Sequence, residues 1–162
     1  MNKCSIGLVI IVAILQMSIT GCSATGKKFS NFEKIENNKS TVYFYRLSPS
    51  LGPFTPRRIT EEVFKDGKDV YVVGGEKKYR NIGKLRDGSY FYSVFAPGEY
   101  LFSAHHFFNS QKFLLKKNSI KCLRLDIMLL SSSLKEVDKK TCLKEIKTTN
   151  RMTKDDQEAL LY

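Results

Sequence analysis

From Thr41 onward the chain is cut into short runs of β-branched and aromatic residues, most of them closed by residues that favour a tight turn, a spacing that leaves little room for helices. Thr41-Val42-Tyr43-Phe44-Tyr45-Arg46 suits a half-buried pleated surface, where such side chains pack best. Pro49, Gly52, Pro53 and Pro56 then enforce a loop. A second strand is predicted over 59–65 and ends at Asp66-Gly67, a dipeptide that tolerates the positive φ of a hairpin turn. A third covers 82–86, and Asp87-Gly88 turns it into Ser89-Tyr90-Phe91-Tyr92-Ser93-Val94-Phe95. Ala96-Pro97-Gly98-Glu99 has the proline and glycine placement of a type II turn, and 100–106 leaves it as another strand. Further β segments are expected around Phe113, over 120–130 and over 134–137. Only the end reads as helical, because Thr153 can cap 154–161 with Asp156 three residues on, a variant of the capping box.

Strands at this spacing with few helices predict an all-β fold: an antiparallel β-sandwich of immunoglobulin or transthyretin type, or a small barrel, with a short C-terminal helix. The 162 residues are 42% apolar and 27% charged, which suits one ordinary globular domain and excludes a disordered chain or two large domains. Lys and Arg number 27 against 16 Asp and Glu, and the resulting net charge of +11 directs the chain to an anionic partner: nucleic acid, membrane or acidic glycan.

The N-terminus bears on which of these it meets. Lys3 precedes an apolar run over 6–15, the length of a signal-peptide core, and Gln16, Ser18 and Thr20 break the pattern before the roughly 20 apolar residues of a membrane span are reached. Ile19-Thr20-Gly21-Cys22 follows directly and resembles the bacterial lipobox. That resemblance implies cleavage between Gly21 and Cys22, with diacylglycerol on the Cys22 thiol and an acylated amine, enough acyl chains for stable anchoring. Ser23 rather than Asp follows the cysteine, which by the sorting rule of lipoproteins implies the periplasmic face of the outer membrane. Residues 1–21 then form the signal peptide, 22–40 a lipidated N-terminus and flexible tether, and 41–162 the sandwich domain. The tether is expected because 24–40 is rich in Lys, Asn, Ser and Glu, with only Phe29, Phe32 and Ile35 as scattered large apolar residues. Lys27 and Lys28 lie where an anionic bilayer would attract them.

Three stretches carry a wider resemblance: Glu62-Val63-Phe64-Lys65-Asp66-Gly67-Lys68, then Ile82-Gly83-Lys84-Leu85-Arg86-Asp87-Gly88-Ser89-Tyr90-Phe91-Tyr92, then Ala96-Pro97-Gly98-Glu99-Tyr100-Leu101. Together with the lipobox they resemble a family of bacterial lipoproteins with a domain of unknown function, over roughly 40–146. The resemblance implies a β fold and an envelope address and transfers no catalytic residue. An insertion over 69–81, including Gly74-Gly75, departs from the pattern.

Catalytic and metal chemistry find little footing. With Cys4 in the signal and Cys22 committed to lipid, Cys122 and Cys142 remain, to be read either as one disulfide in an oxidising envelope or as two buried thiols. His105 and His106 are adjacent in a predicted strand and face opposite ways, so no metal site is expected. Glu61 and Glu62 are divided between two faces in the same manner and make no acid-base dyad. No nucleophile elbow, zincin motif or phosphate loop occurs, and Gly74-Gly75 lacks the rest of a dinucleotide site, so neither enzyme activity nor a cofactor is expected. Tyr43, Phe44, Tyr45 and Arg46, like Tyr90 to Tyr92, resemble base-stacking strands, but an exported chain has no nucleic acid to meet. The expected role is a non-enzymatic binding or structural module that contacts the membrane through its anchor and an envelope protein or the cell wall through its loops, 52–58 and 69–81 among them. The alternatives are an accessory lipoprotein of a secretion or adhesion apparatus, and an inhibitor of a lytic enzyme that uses 69–81 as its inserting loop.

Overall fold

A computed structural model describes residues 24–48, 56–62, 79–104, 110–128 and 131–158. The signal peptide, Gly21, Cys22, Asp66-Gly67, His105, His106 and all but the last residues of the 69–81 insertion lie outside the described residues. Nine strands are described: β1 (Ser40–Arg46), β2 (Arg57–Glu62), β3 (Tyr79–Leu85), β4 (Ser89–Phe95), β5 (Gly98–Ala104), β6 (Gln111–Leu115), β7 (Ser119–Ile127), β8 (Ser132–Val137) and β9 (Asn150–Arg151). Two helices accompany them, α1 (Lys139–Ile146) and α2 (Lys154–Glu158). Sheet A has the order β8-β7-β1-β4-β9 and sheet B the order β3-β2-β5-β6. The fold is an all-β sandwich of two open sheets with a short C-terminal helix.

Phe44 fixes the packing between the sheets. It stacks on Phe91 of its own sheet at 5.0 Å and meets Phe102 of sheet B edge-on at 5.3 Å, while Phe102 continues to Phe113 at 5.8 Å. Ile59, Leu85, Leu115 and Leu123 complete this apolar layer, each stabilising the fold by about 1.5–3 kcal/mol on full burial.

Three local expectations are corrected. The sandwich is not purely antiparallel, since β1 pairs with β7 in parallel and so does β4 with β9. The cause is the chain's passage between sheets: β1 is in A, β2 and β3 in B, β4 in A, β5 and β6 in B, and β7 and β8 in A. Neither Asp87-Gly88 nor Pro97-Gly98 therefore closes a hairpin; each carries the chain from one sheet to the other. Gly88 has the left-handed φ of +62° that the Asp-Gly pair suggested, whereas Gly98 at +155° lies far from the value of a type II turn.

Nor is the terminal helix alone. Asp138 caps α1 by accepting hydrogen bonds from the Lys140 and Thr141 amides, both at 3.0 Å, and Cys142 and Ile146, one turn apart, are buried against sheet A. Cys142 is joined to Cys122 of β7 by a disulfide with the Cα atoms 6.2 Å apart.

The stretch 24–40, expected as a solvated tether, instead lies on the sandwich. Ala24 is 4% exposed and packs in the core, and Phe29 is buried against Tyr43 and Tyr90 at 5.9 and 5.4 Å. The Arg151 amide donates to the Lys27 carbonyl and the Gly26 amide to the Arg151 carbonyl, so this segment adds an antiparallel rung outside β9. A Cβ on Gly26 would lie 2.3 Å from the Arg151 carbonyl oxygen, a closeness of two backbones that only glycine permits. Composition averaged over the segment hid the effect of two aromatic rings, each of which buries far more surface than the polar residues around it expose. With α1, the segment covers the outer face of sheet A, which explains why all seven residues of β1 are buried.

Candidate functional site

The first and last described segments, around Gly26 and Arg151, meet at one side of the sandwich, and the opening beside them is the candidate site. β9 pairs with only the first two residues of β4, Ser89 and Tyr90, and the chain then leaves the sheet at Met152. Thr153 and Asp156 start α2 with a reciprocal cap: the Thr153 amide donates to Asp156 Oδ2 at 2.9 Å and the Asp156 amide to Thr153 Oγ1 at 3.1 Å. Asp156 also accepts from the amide and hydroxyl of Thr25, at 3.1 and 3.0 Å, tying the N-terminal segment to the same helix.

One turn on, the Gln157 side chain reaches sheet B. It accepts from the Lys84 amide at 2.7 Å and donates to the Lys84 carbonyl at 3.0 Å, taking the place of a strand at the outer edge of β3. α2 thus bridges the edges of the two sheets. Beyond the bridge a groove of about 540 Å³ remains, with Asn81, Ile82 and Gly83 of β3 on one wall and Phe91, Tyr92 and Ser93 of β4 on the other. Gly83 makes room for its floor: a Cβ there would meet the Phe91 ring at 2.9 Å.

Charge at the groove is basic. Arg151 lies over the Tyr92 ring at 4.8 Å and Lys154 is exposed beside it, while no acid occurs among the described lining residues. Glu33 is the nearest counter-charge to Arg151, at a loose 4.0 Å. Burial would raise the Asp156 carboxyl, but the hydrogen bonds from Thr153 and Thr25 outweigh it and hold the group below the ordinary carboxylate range. A carboxylate depressed in this way stabilises the folded state above the unfolded value of about 3.9, and the contribution is lost as pH falls through the lower folded value. Asp156→Asn is accordingly expected to lower the melting temperature at neutral pH and to flatten its decline below about pH 4. Thermal unfolding followed across that range checks both.

Under α1 a second polar cluster is fully engaged in structure. Tyr45 donates to Glu145 at 2.6 Å, Arg124 donates to Glu145 at 2.8 Å, and Arg124 also holds Asp126 through two hydrogen bonds. Burial, then the Glu145 partner, push the Tyr45 phenol far upward, and burial pushes Tyr43 up to about 12, so both remain neutral.

The sequence-level candidates fare unequally. Cys122 and Cys142 are brought together, and Glu61 is engaged with Arg80 at 2.5 Å. Tyr43, Tyr45 and Tyr90 are buried under the N-terminal segment and α1 rather than presented for stacking. Arg151, Lys154 and Gln157 were not singled out from sequence. Among the described residues no three metal-ligating side chains converge, and no helix is long and apolar enough to cross a membrane. Comparison with protein-family models, with curated proteins and with solved structures finds no match to this chain.

Proposed function

We propose that this chain is an envelope lipoprotein, acylated at Cys22 and facing the periplasm from the outer membrane, that acts as a non-enzymatic binding module of the lipoprotein family it resembles. The observation that carries it is the lipobox-like Ile19-Thr20-Gly21-Cys22 standing directly ahead of Ala24, which is buried in the core of the domain. A cysteine that near the fold is well placed to hold the domain to a bilayer. The Cys122–Cys142 disulfide supports the reading, since such bonds persist in oxidising compartments. The basic groove beside Arg151 and Lys154 supplies a surface for an anionic partner.

Fractionation of cells expressing the full chain or its Cys22→Ala variant tests the anchor, with the mass of the mature N-terminus as a second readout. The wild type is expected in the membrane fraction with a diacylglyceryl and acyl addition on Cys22, and the variant in the soluble fraction. Equal distribution of the two, with an unmodified Cys22, overturns the reading.

A further inference from the structure

The groove is bounded by a strand edge that the fold uses only in part. The Asn150 amide donates to the Gly88 carbonyl and the Met152 amide to the Tyr90 carbonyl, so the even-numbered residues of this stretch turn their backbone groups toward β9. The two-residue period of a strand aims the N–H and C=O of Tyr92 and Val94 the same way. β9 has ended by then, and among the described residues neither has a strand partner on that side; Val94 is 37% exposed. A sheet edge left open for two residues beside a cleft is where an extended chain adds as a further strand. Resting on the reading of the chain as a binding module, we infer that the groove takes an extended acidic segment of a partner protein, which continues the β9 position along Tyr92 and Val94. Acidity follows from charge complementarity: Arg151 and Lys154 flank the entry, no described lining residue is acidic, and the whole chain carries +11. The backbone ladder supplies affinity without demanding a sequence, and the two cations select the sign of the side chains that face them.

The probe is a short peptide of alternating threonine and glutamate, added to the full chain in detergent micelles, with an alternating threonine and lysine peptide as its counterpart. Hydrogen exchange at the Tyr92 and Val94 amides is the site-specific readout. Val94→Pro removes an N–H that no described strand uses, at a sheet edge where proline is tolerated. It is expected to weaken the acidic peptide by about tenfold, the equivalent of one net backbone hydrogen bond. Arg151→Gln combined with Lys154→Gln serves as the second variant; it leaves the backbone donor in place and is expected to weaken the acidic peptide while leaving the basic one unbound. Slowed exchange at Tyr92 and Val94 with the acidic peptide alone supports the proposal. Equal binding of both peptides, or no protection at these amides, overturns it, as does protection that grows with protein concentration in the absence of peptide and vanishes at Tyr92 in Val94→Pro, since the occupant is then a second copy. Membrane retention through Cys22 is read by fractionation and is indifferent to Val94→Pro, so loss of this site and loss of the anchor are separate results.

Discussion

Asp87→Ala is expected to lower the unfolding free energy by about 3–5 kcal/mol, the cost of removing one partner of a buried ion pair. Arg46 ends β1 with a side chain that is 0% exposed, and its guanidinium lies 2.5 Å from Asp87, itself only 14% exposed. Burial depresses the Arg46 pKa, Asp87 opposes that fall, and Arg57 adds to it. Lys112 and Glu99 form the contrasting pair, 3.2 Å apart with both side chains 64% exposed, and Glu99→Gln is expected to cost no more than about 1 kcal/mol. Urea unfolding of both variants checks the difference. A small loss in Asp87→Ala would mean that other groups around Arg46 carry its charge.

Removal of the disulfide is the second large effect. Cys122 and Cys142 close a loop with a sequence separation of 20, for which the chain-entropy treatment gives about 3 kcal/mol. Cys122→Ala with Cys142→Ala is expected to lose that much, and the wild type under reducing conditions to melt at a correspondingly lower temperature. The loss falls unevenly, because α1 is short, has only Cys142 and Ile146 fully buried, and is attached to β7 through this bond. Amide exchange is therefore expected to accelerate first in α1 and at Phe29 and Tyr43, which share its outer cluster, and last at Phe44 and Leu123 between the sheets. Uniform acceleration throughout would show that the outer layer and the sandwich unfold as one unit.

Local chemistry was legible where it is set by neighbours in sequence. Ser89 to Phe95 reads as a strand and is one, Gly88 takes the left-handed φ its Asp-Gly pair suggests, and Thr153 with Asp156 forms the cap read from their spacing. What escaped is set by distant partners. Nothing in Lys139-Lys140-Thr141-Cys142-Leu143-Lys144-Glu145-Ile146 makes a strong apolar stripe, so α1 depends on the surface it covers, although Asp138 at its start was a readable cap. The parallel pairings follow from which sheet each strand joins, a choice that alternation cannot report. The groove was hidden for the same reason: Arg151 meets Tyr92, and Gln157 meets Lys84, only after the stretch that carries them has folded back onto β4 and β3.

Burial of Ala24 changes the geometry available to an anchored domain. On the proposed acylation of Cys22, the two residues from it to Ala24 could span no more than about 7 Å, against about 60 Å had the whole stretch to Ser40 been free. A domain held that short has no radius to sweep. On the proposed anchor the domain would ride on the headgroups, orient by its own underside, and exchange three-dimensional search for encounter within a layer scarcely thicker than itself. Whatever a domain so anchored grips would have to come down to the lipid surface or already live there.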